Sequence, residues 1–154
     1  MSYYGDMAGN QAKTLTKQQL AAALRRASQS RYGNRDRAII LLSAKAGLRA
    51  GEIAKLTWSM IVDAQGRIAS QIELHDAAAK KGSGRTIPMH PDLARALSRL
   101  RRCGGADGPV IRSERGDALR PSSVVNWFAR LYRDLQFDGL TCPRSEYHWL
   151  CYSR

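Results

Sequence analysis

The segment Gly47-Leu-Arg49-Ala-Gly-Glu52-Ile-Ala-Lys-Leu56-Thr-Trp58 decides how this chain is read. A glycine just past a helical run is a stop signal, because it takes the left-handed conformation without side-chain strain. Arg49 follows almost at once, and a short helix from Ala50 to Leu56 begins beyond it, with Ile53 and Leu56 facing inward. Such a helix-to-helix corner presents a guanidinium beside free backbone N–H groups, a good cradle for a phosphate. Arg49 and Glu52 also stand at i, i+3, the spacing of an ordinary solvent-exposed ion pair. Taken alone, the segment leaves both readings open.

Outward from that corner the local signals are mostly helical. Toward the N-terminus, Thr16 and Gln19 have capping-box spacing, and Leu15 and Leu20 occupy staple positions. The helix they open places Leu20, Ala23, Leu24 and Ala27 on one face and breaks over Ser28–Gly33. Asn34 is placed to cap a second helix carrying Ile39, Ile40, Leu42 and Ser43, which Gly47 ends.

After Thr57 the texture turns β-like. Ile61–Val62, Ile68–Leu74 and Arg85–Met89 are short apolar runs separated by turns at Asp63–Gly66 and Gly82–Gly84. Pro91 then opens a helix to about Arg102 through Leu93, Leu97 and Leu100, with His90 as its cap. Cys103–Gly108 reads as a loop and Val110–Ile111 as a brief extended piece. Pro121 opens a last helix, with Ser122 and Ser123 in its first turn and Val124, Val125, Phe128, Leu131, Tyr132 and Leu135 at helical intervals. The expected class is α+β: a mostly helical domain with a small three-stranded antiparallel sheet. Residues 1–14 read as a loose lead-in, 15–137 as the folded body and 138–154 as a tail of different texture.

Composition bounds the function. Hydrophobic residues make up 44% of 154, enough for a core. Twenty-five Lys and Arg against 13 Asp and Glu give a net charge of +12, which points to an anionic partner, nucleic acid being the commonest. No run approaches the roughly eighteen apolar residues of a membrane span, and the start has no signal-peptide pattern. Cys103, Cys142 and Cys151 are odd in number and form no CxxC, which fits a reducing cytoplasm. His75, His90 and His148 have no ligand spacing, so no metal site is expected. Arg25, Arg26, Arg31, Arg35 and Arg37 gather around the first loop, as phosphate contacts or as a solvated face. Trp58 and Trp127, in apolar surroundings, read as core.

A second segment bears on chemistry: Lys80-Lys-Gly-Ser-Gly-Arg85-Thr-Ile-Pro88. Two lysines before a Gly-rich turn would let an ammonium reach a backbone phosphate or donate a proton to a leaving oxygen. Basic residues at a hairpin tip also serve simply to protect a sheet edge.

Together, the two segments resemble the tyrosine recombinase, or phage integrase, family. The Gly-Leu-Arg-x-x-Glu-Ile-x-x-Leu-x-Trp motif and the Lys-x-x-x-x-Arg-x-Ile-Pro hairpin arrive in the family's order, over roughly Leu15 to Phe137. The resemblance implies site-specific DNA recombination and integration by transesterification. A tyrosine attacks a phosphate of double-stranded DNA to form a 3′-phosphotyrosyl bond, and arginines stabilise the transition state. It implies that Arg49 binds the non-bridging oxygens of the scissile phosphate and that Glu52 supports this arginine. Lys80 would protonate the departing 5′ oxygen, with Lys81 as the fallback if the lysine register shifts by one. Arg85 would steady the hairpin against DNA. No metal or cofactor is implied.

The match ends at Phe137. The family's His-x-x-Arg motif does not follow, since Cys151 stands three residues after His148; Tyr147 and Tyr152 lie on a segment without helical period. A truncated or frameshifted catalytic domain is therefore expected, inactive in strand cleavage alone and working with full-length recombinase protomers or by self-association if at all. The alternative is a non-enzymatic basic nucleic-acid-binding module or regulator.

Overall fold

The computed structural model describes residues 15–75 and 84–137. Five helices and one hairpin follow in the order α1 (Lys17–Ser28), α2 (Gly33–Ala46), α3 (Ala50–Lys55), β1 (Gln71–Leu74), β2 (Arg85–Pro88), α4 (Pro91–Gly104) and α5 (Pro121–Asp134). A single 3₁₀ turn, Trp58–Met60, links α3 to the hairpin.

The helix ends form where the chain marks them. Thr16 caps α1: its hydroxyl accepts from the Gln19 N–H at 3.2 Å, while the Gln19 side chain accepts from the Thr16 N–H at 3.0 Å. At the start of α4, His90 Nδ1 accepts from the Asp92 N–H at 3.1 Å and Pro91 fills the first helical position, where no N–H is needed. Pro121 does the same for α5.

One expected cap fails. α2 starts at Gly33 behind Tyr32, whose side chain makes no capping bond, so Asn34 lies inside the helix. Its amide instead donates to Cys103 Sγ at 3.4 Å, tying the start of α2 to the end of α4. Gly33 itself is held tightly, since a Cβ there would meet the Ala27 carbonyl of α1 at 3.2 Å.

α2 is the axis of the core. Ala38, Ile39, Ile40, Leu41 and Leu42 are all buried, so this helix is covered on every side over its middle turns. α1 and α4 pack against it, and α5 packs on α3. Each fully buried Leu or Ile contributes about 1.5–3 kcal/mol of transfer free energy, so α2 anchors everything attached to its ends.

Among the described residues the sheet has two antiparallel strands, not three. Gln71 pairs with Pro88 and Leu74 with Arg85. The expected first strand is reduced to one bridge between Val62 and Ile68, because the chain reverses too soon to build a ladder. Asp63 forces that reversal: its Oδ1 accepts from the Gln65 and Arg67 N–H groups, both at 2.9 Å, and Gly66 takes a φ of 75°. The Arg67 N–H, then the Arg67 guanidinium and the Gln65 N–H, outweigh burial and hold the Asp63 carboxyl below its ordinary 3.8.

A depressed carboxyl pKa stabilises the folded state above the unfolded value, and that contribution is lost as pH falls through the folded value. Thermal midpoints measured for the native chain and Asp63→Asn should therefore differ near neutral pH and converge below about pH 4. A gap that persists unchanged at lower pH would remove Asp63 as the turn's acid-sensitive clasp.

Beyond α4, the segment at Val110 lies along the one after α3. Val110 donates to the Leu56 carbonyl and Trp58 to that of Gly108, both at 3.0 Å, which buries Trp58 and Ile111. Among the described residues no helix is long and apolar enough to cross a membrane.

Candidate functional site

The corner between α2 and α3 is built on Gly47. It takes φ 65°, and the Gly47 and Leu48 N–H groups close the end of α2 on the carbonyls of Ser43 and Leu42, both at 3.1 Å. Leu48 is fully buried and pins the turn to the core. Arg49 is then extended, with φ −78° and ψ 159°, immediately ahead of the first turn of α3.

Glu52 organises what lies around it. Its carboxylate is buried, at 7% side-chain exposure, and a single oxygen, Oε2, takes two donors. One is the backbone N–H of Arg49 at 2.8 Å; the other is Nη2 of Arg85, also at 2.8 Å. The acid thus caps α3 and seats the first residue of β2 against it, joining segments 33 residues apart in sequence.

The i, i+3 surface ion pair is not what forms: Glu52 supports Arg49 through its main chain, and its ionic partner is Arg85. The Arg49 guanidinium, half-buried, has no carboxylate partner among the described residues. A cation seated on a rigid corner with its charge unspent is poised to take an anion, and a planar fork suits two phosphate oxygens. Arg85 remains 46% exposed beyond its contact with Glu52, so it too reaches solvent on this side.

Three of the five residues singled out from sequence are therefore brought together: Arg49, Glu52 and Arg85. Lys80 and Lys81 lie outside the described residues, as do Tyr147, His148 and Tyr152. No cluster among the described residues could hold a metal ion.

The basic residues at the first loop are partly committed elsewhere. Arg35 pairs with the buried Asp36 at 3.0 Å and Arg26 with Asp134 at 3.5 Å. The Glu52–Arg85 pair is what sequence reading missed. The one available hint was that the motif's only carboxylate is inward-facing and needs a partner, which a basic residue entering the adjacent hairpin can supply.

A mostly helical body with a small antiparallel hairpin, carrying an arginine on a glycine-ended corner beside a buried acid, has the fold of tyrosine-recombinase catalytic domains. Residues 13–138 match the phage integrase family, and the chain belongs to that family of site-specific recombinases. Its fold is similar to the crystal structure of XerA recombinase, with a TM-score of 0.63 at 22% identity over 84% of this chain and 46% of that one. It is also similar to lambda integrase residues 75–356 bound to DNA, with a TM-score of 0.63 at 21% identity over 90% and 48%. The Tn1549 transposon integrase in complex with transposon right end DNA gives 0.60 at 22% identity over 82% and 46%. The chain thus spans about half the length of these solved structures. No curated protein matches it.

Proposed function

We propose that residues 15–137 form the phosphate-gripping portion of a recombinase catalytic domain that acts on double-stranded DNA. In this reading the Arg49 guanidinium takes the non-bridging oxygens of the scissile phosphate and Glu52 holds the corner that aims it. Arg85, docked on the same acid, fixes the arm that carries Lys80 toward the leaving 5′ oxygen, with Lys81 as the neighbouring candidate. The observation that supports this most is the single Glu52 oxygen shared between the Arg49 N–H and Arg85.

The 154 residues contain no His-x-x-Arg motif, so this chain's own share is phosphate binding and leaving-group protonation. Strand cleavage would need a second arginine and a nucleophilic tyrosine supplied by another segment or protomer. Lambda integrase has been solved as a tetramer bound to a Holliday junction, a likeness that supports assembly on DNA here.

Duplex binding measured across a salt series tests the reading. Arg49→Ala should weaken binding about tenfold and lower the salt-dependence slope by about one, the signature of one lost phosphate contact. A nicked duplex that traps covalent intermediates should yield no protein–DNA adduct with the native chain. An adduct abolished by Tyr152→Phe would instead identify a tail tyrosine as nucleophile. Unchanged affinity and slope in Arg49→Ala would leave only a basic module binding through its +12 net charge.

A further inference from the structure

A second site lies at the far end of α2. With 14 residues at about 1.5 Å each, the helix places its start roughly 21 Å from the Gly47 corner. There a cavity of about 270 Å³ opens between the start of α2, the end of α4 and the segment around Val110. That volume is just below the usual range for small-molecule pockets, about 300–1,000 Å³.

Two kinds of surface meet in it. Trp58, Leu100 and Val110 form an apolar floor. The wall is Tyr32 with Arg31, Arg35 and Arg112. Two guanidiniums already lie over the Tyr32 ring, Arg35 at 4.6 Å and Arg31 at 5.3 Å from its centroid, so this wall is both aromatic and cationic.

The charges are not all spent. Arg35 is neutralised by Asp36. Arg112 donates to the carbonyls of Pro109 and Asp107, which orient the group without cancelling its charge. Arg31 has no carboxylate partner among the described residues. Two positive charges, the exposed Arg31 and the partly buried Arg112, thus stand beside an apolar floor.

We propose that this cavity binds a planar aromatic ring carrying an anionic group, a unit the size of one nucleotide. Its ring lies on the Leu100 and Val110 floor beside Tyr32, and its phosphate is held by Arg31 and Arg112. Two sources share that chemistry: a free mononucleotide and an unpaired nucleotide of a DNA strand. The site uses none of the residues assigned to phosphate gripping, so it stands independently of that assignment.

Cys103 provides the readout. Its thiol is exposed on the rim of the cavity, bonded to Asn34, and an occupant would cover it. The experiment follows alkylation of Cys103 by iodoacetamide through peptide mass spectrometry, in the Arg49→Ala background to remove binding at the other site. Adenosine 5′-monophosphate at tenfold its Kd should slow the reaction about tenfold by mass action. Adenosine alone and inorganic phosphate alone should each need at least about tenfold higher concentration, since each lacks half of the contacts.

Arg31→Glu, at an exposed position, should raise the nucleotide concentration required by about tenfold or more, whereas Arg25→Glu on α1 should leave it unchanged. Protection by a short single-stranded oligonucleotide but not by the mononucleotide would assign the site to a DNA strand. No protection by either, equal protection by phosphate alone, or indifference to Arg31→Glu would overturn the proposal.

Discussion

Phe128→Ala should destabilise the domain by about 3–5 kcal/mol, a large part of the roughly 5–15 kcal/mol that holds a domain of this size folded. Phe128 is the largest fully buried side chain of α5, and α5 is the helix packed on α3. Its ring meets Trp127 edge-on at 5.0 Å and Tyr132 at 5.7 Å, and Tyr132 continues the series to Phe137 at 6.2 Å. Truncation leaves a cavity that two neighbouring rings and the α3 backbone cannot all collapse to fill. Urea denaturation followed by circular dichroism measures the loss, and Phe128→Leu, which keeps most of the volume, should cost about 1.5 kcal/mol or less. Because α3 carries Glu52 and is preceded by Arg49, DNA affinity should decline as α5 loosens, even though Phe128 touches no phosphate.

Glu52→Ala is expected to show the second largest effect, about 2–3 kcal/mol in stability together with weakened DNA binding. The stability term arises because the Arg49 N–H, capped only by that carboxylate, loses its acceptor at a half-buried position. Arg85 contributes less to the loss, since it is 46% exposed and turns to water when its partner is gone. Glu52→Gln separates the two terms: its amide oxygen still accepts from Arg49, while the charge opposite Arg85 is removed. Thermal melts should place Gln between the native chain and Ala. If both variants melt alike, the cap contributes nothing and the ion pair alone matters.

What was legible in the sequence is what local chemistry controls. The Thr16 capping box, the Gly47 stop, the His90 cap and the proline starts of α4 and α5 act within four residues of themselves, and the chain folds there as read. The position of Arg49 on a corner belongs to the same group, because Gly47, Leu48 and Glu52, all within three residues of it, set it. The misses involve competition over distance. Asn34 was free to cap α2 by type, yet Gly33 begins the helix a residue sooner against α1 and leaves that amide for Cys103. Val62 had strand-like character, yet Asp63 gathers two N–H groups and turns the chain after one bridge. The ionic partner of Glu52 was out of reach for the same reason: local spacing offers only the neighbour three positions away, while the guanidinium that pairs with it arrives from 33 residues downstream.

The pairing of Leu74 with Arg85 means that the chain leaves the sheet and re-enters it at one doorway. The length of the connection between them is cheap to vary, since doubling it adds only about 0.6 kcal/mol of closure entropy. A longer or shorter connection that keeps Lys80 would therefore be tolerated at little thermodynamic cost. The arginine at the corner would not feel the alteration, because Glu52 bolts the return side of the doorway to the frame.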